Sequence, residues 1–199
     1  MDVGLVGLFS LVTAYLLGSV PTAVLVSRAV AGADVRALGD GNMGARNVAH
    51  TVGWWPAAVV AVTDAAKGTL GVVFCAQLSL PLEWQLGAGA FAVLGHDFPV
   101  FGGFRGGQGL ATTIGVLFAL LPSETLFAVV LFGTVYLLTR RFNLSAGLGM
   151  APMPFLAGAS GHPPIFLAYI AALFLSVPAK TALDLPHRRR VRGDALARR

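Results

Sequence analysis

Hydrophobic residues in this chain gather into long runs, and polar residues fall between them in short clusters. The breaks predict seven apolar segments, at about 3–27, 54–78, 84–101, 109–121, 124–139, 145–160 and 163–179. A helix crossing ~30 Å of hydrocarbon needs roughly 20 apolar residues, and the longer runs reach that length. The fourth, fifth and sixth are shorter, which predicts tilted or incomplete spans. The pattern is that of an all-α integral membrane protein with about seven transmembrane helices.

Composition agrees, since 56% of the 199 residues are hydrophobic and only 12% are charged, outside the range of an ordinary soluble domain. Met1 to Leu17 has no basic leader, and Asp2 precedes the apolar stretch, so the first run is expected to be a retained helix rather than a cleaved signal. Cys75 is the single cysteine and lies within an apolar run, which leaves no disulfide framework or cysteine metal site.

The formal charge is +5, and its distribution sets an orientation. Seven spans starting outside place 28–53, 102–108, 140–144 and the C-terminal tail on the cytoplasmic side. Those pieces hold Arg28, Arg36, Arg46, Arg105, Arg140, Arg141, Arg188, Arg189, Arg190, Arg192, Arg198 and Arg199, whereas the other side receives Asp2, Glu83, Glu124 and His162 and no Lys or Arg. The positive-inside rule therefore predicts the N-terminus out and the C-terminus in. A single polytopic domain over 1–186 followed by a basic tail over 187–199 is expected. The tail reads as a topology determinant and anionic-lipid contact; with no aromatic residue among its arginines, it lacks a stacking platform for nucleic acid.

Four features break the apolar pattern. GSVPTAVLVSR (18–28) interrupts the first run with Gly-Ser-Val-Pro, a kink common in membrane helices. ADVRALGDGNMGARNVAHTVG (33–53) carries four glycines, with Arg36, Asn42, Arg46 and Asn47 beside them. Such loops turn backbone N–H groups toward one point and bind anions, although a flexible surface loop would look similar. TDAAKG (63–68) sets Asp64 and Lys67 well inside an apolar run, spaced to pair on one helix face. Charge at that depth marks either a functional group or polar glue between helices. LGHDFPVFGGFRGGQGLAT (94–112) leads a glycine-rich, Arg105-bearing loop into a helix N-terminus, a second anion site. Two such loops on one membrane face point to a shared site for phosphorylated ligands. His50, His96, His162 and His187 form no ligand pair at helical spacing, and no metal site is expected.

Taken in order, these four motifs resemble the acyl-phosphate-dependent glycerol-3-phosphate acyltransferases of bacterial membranes, the PlsY family. The likeness is closest over about the first 115 residues. It implies a seven-helix inner-membrane enzyme with its site facing the cytoplasm, moving an acyl group from acyl phosphate to the 1-hydroxyl of glycerol 3-phosphate without metal or coenzyme A. The two loops would hold the donor and acceptor phosphates, and a soluble acyl-phosphate-forming enzyme is a possible partner. The resemblance implies catalytic roles for Asn42, Arg46, His96 and His187. It implies substrate or phosphate contacts from Arg36, Gly39, Asp40, Gly41, Gly44, Asn47, Lys67, Arg105, Gly106, Gly107, Gln108 and Gly109.

The chain departs from the family pattern in places. The usual Gly-Ser-Gly-Asn stands here as Gly39-Asp40-Gly41-Asn42, which sets a carboxylate beside an expected phosphate. Gly-Ala-Thr-Asn becomes Gly44-Ala45-Arg46-Asn47, with His50 where an Arg follows, and Gly-Gly-Lys-Gly becomes Gly106-Gly107-Gln108-Gly109. Of the C-terminal motif, His187-Arg188 and a Gly193-Asp194 remain. Arg46 is suited to replace a lost cation, since guanidinium holds phosphate bidentately. An acceptor other than glycerol 3-phosphate and a catalytically silent homologue are the alternatives. Transport ranks below both because polar residues concentrate on one side of the membrane.

Overall fold

The computed structural model describes residues 2–197. Met1, Arg198 and Arg199, and the side chains of Arg192 and 194–197, lie outside the described residues, and with them part of the basic tail and the Asp194 carboxylate. Among the described residues the chain is all-helical, with ten α-helices and two 3-10 turns.

The first helix, α1 (Val3–Gly18), shows how the bundle is held. Its buried positions are Gly7, Ser10, Ala14 and Gly18, while leucines and Phe9 face outward. That is the reverse of a soluble amphipathic helix. Lipid tails are as apolar as leucine, so helices in a membrane associate through small residues that let backbones approach. Gly18 and Gly95 do this between α1 and α5 (Leu82–Asp97), where a Cβ on either would overlap a carbonyl oxygen of the facing helix, Ala92 or Tyr15. Gly68 and Gly115 do the same between α4 (Trp54–Gln77) and α6 (Leu110–Leu120).

After α1 the chain breaks at Ser19–Pro21 and resumes as α2 (Thr22–Ala31). A 3-10 turn, Val35–Ala37, and the short helix α3 (Ala45–Thr51) follow. The 33–53 stretch, which reads as a loop in sequence, therefore has structure of its own: Val35, Met43 and Val48 are buried with Ala23, Val24 and Val60 in a small core. Such packing holds the segment in place against α2 and α4.

The chain continues through α7 (Pro122–Thr139), α8 (Phe142–Met150) and α9 (Met153–Ala159) to α10 (Ile165–Ala197). The segment expected over 145–160 is split at Ala151 and Pro152 into α8 and α9. α10 keeps its helical path through Pro178 and Pro186, with no break at 186/187 where the tail was expected to begin. Among the described residues, four helical stretches are long and apolar enough to cross a membrane: Val3–Ala31, Trp54–Gln77, Pro122–Thr139 and Ile165–Val191. A central core containing Val72, Val93, Leu117, Leu121, Met153 and Ile170 joins α4, α5, α6, α9 and α10. At one end of the bundle the 33–53 stretch, the loop after α5, the start of α8 and the last turns of α10 meet.

Candidate active site

Two cavities open at that end, and they have opposite character. The larger, of about 610 Å³, is polar and charged, lined by Arg36, Arg105, His187, Arg188 and Arg190 with Asp34 and Asp184 among them. The second, of about 390 Å³, is a greasy slot between α4, α6, α7 and α8, walled by residues such as Val62, Ile114, Leu117, Val129 and Phe132. Its mouth is polar, formed by Asn42, Arg46, His96, Gln108 and Gly109. Asn42 lines both cavities.

Asn42 is pinned through its backbone. Its N–H donates to Asp40 Oδ1 (3.1 Å), and its carbonyl accepts from Asn47 Nδ2 (3.1 Å). Its side-chain Oδ1 is buried and has no hydrogen-bond partner within the protein, and Gln108 Nε2 shares that condition. Buried polar atoms are almost always satisfied, so this pair leaves one acceptor and one donor available to a polar group at the cavity mouth. Gly109, with φ +70°, is the N-cap of α6 and also lines that mouth. The helix's first turn adds unpaired N–H groups and the positive end of its dipole.

His96, at the end of α5, is buried and oriented from two sides. Its Nδ1 lies 3.6 Å from Asp64 Oδ1, and its ring rests against Gly107, where a Cβ would overlap Nε2. Gly107 N–H also donates to the His96 carbonyl (3.2 Å). Gly106 packs as closely, since its Cβ would overlap the same carbonyl. These two glycines let the loop lie flat on the end of α5, a steric task that their phosphate-binding reading did not include.

Behind His96 sits a buried ionic knot. Lys67 Nζ donates to Asp64 Oδ1 (2.7 Å), to the Val20 carbonyl (2.5 Å) and to Thr22 Oγ1 (3.1 Å), and Thr22 Oγ1 donates to Asp64 Oδ1 (2.5 Å). Lys67 thereby ties α4 to the break between α1 and α2, and it lines neither of the two large cavities. Asn47 is committed in the same way: its Nδ2 donates to the carbonyls of Val35, Leu38 and Asn42, and its Oδ1 accepts from Asp40 N–H. It holds the 35–42 stretch in shape and has no amide hydrogen to spare for a phosphate. Gly39, with φ +58°, sits against the Asn47 side chain.

The remaining expected residues sort by cavity. Arg36, Gly41, Arg105, Gly106 and His187 line the polar one, and Gly44, Arg46, Gln108 and Gly109 the apolar one. Arg46 donates to Asn143 Oδ1 (2.8 Å) and lies 5.0 Å above the Phe142 ring, a cation–π contact that sets its charge at the rim of the slot. Arg36 forks onto Asp34 (Nε to Oδ1 3.0 Å, Nη2 to Oδ2 2.6 Å), and Arg28 adds a second bridge at 2.8 Å. The Arg36 hydrogen bond holds the Asp34 carboxyl well below the usual carboxylate range, and Asp34 in turn raises Arg36.

Sequence reasoning missed the inner face of α10. Lys180 pairs with Asp184 (2.5 Å) and lies 5.1 Å over the Phe98 ring, and Arg188 pairs with Asp40. The available signal was a Lys and an Asp spaced i, i+4 in DLPHRRR and the residues just before it.

Comparison with known proteins meets this geometry. The family model for glycerol-3-phosphate acyltransferase matches residues 8–184. The chain is 42% identical over 168 residues to the glycerol-3-phosphate acyltransferase of Thermus thermophilus, covering 84% of this chain and 82% of that protein. It is 34% identical over 192 residues to glycerol-3-phosphate acyltransferase 1 of Dehalococcoides mccartyi, covering 94% and 91%. Crystal structures of PlsY, an integral membrane glycerol 3-phosphate acyltransferase, superpose with a TM-score of 0.81 at 29% identity for the glycerol 3-phosphate form, and 0.79 at 27% for the lysophosphatidic acid form, each over 90% of both chains. With fold and sequence in agreement over nearly its whole length, this multi-pass membrane chain belongs to the glycerol-3-phosphate acyltransferase family.

Proposed function

We propose that the protein transfers a fatty acyl group from acyl phosphate to the 1-hydroxyl of glycerol 3-phosphate, releasing lysophosphatidate and inorganic phosphate. The observation that carries this reading is the meeting of an apolar slot and a basic polar cavity at Asn42. The acyl chain lies in the slot with its carbonyl and phosphate at the mouth, among Asn42, Arg46, Gln108 and the N-terminus of α6. Glycerol 3-phosphate occupies the polar cavity, its phosphate against Arg36, Arg105 and His187. The acceptor oxygen forms the new bond to the acyl carbon as the bond from that carbon to the phosphate oxygen breaks, and the hydroxyl proton passes to the departing phosphate, which leaves as inorganic phosphate.

Acyl phosphate is already activated, so positioning and charge stabilisation are the principal tasks. Asn42 supplies a polar side chain at the point of transfer, Arg46 pairs with the departing phosphate, and His96 and His187 flank the two substrates. An amine acceptor would be favoured by free carboxylates in the polar cavity, but Asp34 is held by Arg28 and Arg36 and Asp184 by Lys180. The net charge offered to a ligand is therefore positive.

The seven apolar segments act as seven spans or part-spans of one domain. The arginine distribution supports the N-terminus outside and the site on the cytoplasmic face of a bacterial inner membrane, where a soluble acyl-phosphate-forming enzyme can deliver the donor. The test is acyl transfer by purified protein in detergent, with palmitoyl phosphate and glycerol 3-phosphate, following lysophosphatidate by mass. Asn42→Ala is expected to lower kcat by about 10²–10³. A folded wild-type protein that binds acyl phosphate and yields no lysophosphatidate would refute the acceptor assignment.

A further inference from the structure

Asp40 is the most conspicuous departure from the family pattern, since a carboxylate there should repel the acceptor phosphate. The structure places it otherwise. Asp40 lines neither large cavity, and both of its oxygens are engaged. Oδ1 accepts the backbone N–H of Asn42 at 3.1 Å, and Oδ2 accepts Arg188 Nη2 from α10, across 148 positions of sequence. Both partners do line the polar cavity. One carboxylate thus joins the residue at the meeting point of the cavities to a guanidinium on the acceptor wall.

Two further contacts show that α10 is docked here and that Arg188 is not a freely moving surface arginine. Gly41 has φ +73°, and a Cβ on it would come within 3.0 Å of Val191 Cγ2 and 3.4 Å of His187 Nε2, so the absence of a side chain lets the helix approach. Lys180, about two turns earlier on the same helix and paired with Asp184 one turn before Arg188, sets the helix over Phe98. The Arg188 side chain is only 18% exposed. Guanidinium has five donors in a planar fork, and the hydrogen bond to Asp40 occupies one nitrogen, leaving donors for the cavity.

We propose that Asp40 is a positioning residue for the acceptor: it holds Arg188 at the wall of the polar cavity, where Arg188 binds the phosphate of glycerol 3-phosphate, and it separately fixes the backbone at Asn42. This inference rests on the acyltransferase reading above. It replaces the expected role of Asp40 as a direct substrate contact and adds Arg188 to the acceptor-binding set.

The two tethers are separable by mutation. A serine at position 40 keeps an oxygen able to accept the N–H two residues on but cannot hold an arginine by charge. Asp40→Ser is therefore expected to raise KM for glycerol 3-phosphate about tenfold, with kcat changed less than about threefold and KM for acyl phosphate unaltered. Asp40→Ala removes both tethers and is expected to lower kcat as well. The exchange Asp40→Arg with Arg188→Asp restores an ion pair and the part of the unfolding temperature that the pair supplies, but it leaves a carboxylate on the cavity wall and no acceptor for the Asn42 N–H, so the raised KM persists. Arg188→Lys, which keeps the charge and the fold, should raise the same KM with little effect on kcat.

An unchanged KM in Asp40→Ser and Arg188→Lys overturns the proposal. So does recovery of both stability and KM in the exchanged protein, which would make the pair a structural tie alone. A wild-type protein that forms no lysophosphatidate removes the acyltransferase reading and this inference with it, whereas an active wild type with an insensitive KM removes this inference only.

Discussion

Replacing Lys67 by Met tests whether the ionic knot under His96 is dry. The Asp64 and Lys67 side chains are 2% and 9% exposed, and the ammonium donates to three acceptors in reach of one nitrogen. Methionine fills similar volume without charge, so the loss is electrostatic and not a cavity. Asp64 keeps the Thr22 hydroxyl and lies 3.6 Å from His96, but it loses its closest cation. Removing one partner of a buried pair typically costs about 3–5 kcal/mol, because the other charge stays desolvated. The Val20 carbonyl is less affected, since it also accepts the Thr22 N–H at 2.9 Å. Removing both charges with Asp64→Leu and Lys67→Met takes the carboxylate from beside His96 and leaves the Thr22 hydroxyl without a strong partner, but it strands no buried charge, and an unpaired buried hydroxyl costs about 1–3 kcal/mol. The double variant is therefore expected to be more stable than Lys67→Met alone. Equilibrium unfolding of the four proteins in detergent micelles, followed by circular dichroism, completes the cycle. A loss below about 1 kcal/mol for Lys67→Met, or additive losses, would refute the reasoning by showing that water reaches the pair.

Asp34 links pH to stability. Its folded pKa is depressed below the ordinary 3.8, so its stabilisation is complete above that value and fades as pH falls toward the folded pKa. Asp34→Asn is expected to lower the unfolding temperature by a constant amount between pH 7 and pH 5, with the gap to wild type narrowing below about pH 4; a gap that grows on acidification would contradict the assignment. Acyl-chain length should respond to Thr125, a fully buried residue of α7 in the apolar slot. Leu110 and Leu117 on α6 line the slot seven residues apart, which sets a depth of about 10 Å between the mouth and the level of Leu117. Filling the far end with Thr125→Trp is expected to reduce kcat/KM for palmitoyl phosphate more than about tenfold relative to octanoyl phosphate, since each excluded methylene forfeits about 0.8 kcal/mol; equal losses for both donors would place the chain elsewhere.

The sequence by itself determined the membrane class, the apolar segments that became helices and the Asp64–Lys67 pair, because hydrophobic run length and i, i+3 spacing are properties of short stretches. It also marked both glycine-rich loops as unusual, but it could not divide their glycines by task. Gly107 is shaped by the His96 ring and Gly41 by the approach of α10, and these neighbours are distant in sequence. Asn47 looked like a ligand donor until its amide was found bonded to three carbonyls of its own loop. Asp40 read as a charge facing a phosphate until Arg188, 148 positions away, was found holding it. The last helix read as a membrane span followed by a basic, lipid-contacting tail, since nothing local to PHRRR records that its inner face meets the first loop. Only the tertiary structure decided these pairings, and the meeting of the two cavities at Asn42, because a side chain's role depends on which partners packing brings within about 3 Å, and that follows from the whole bundle.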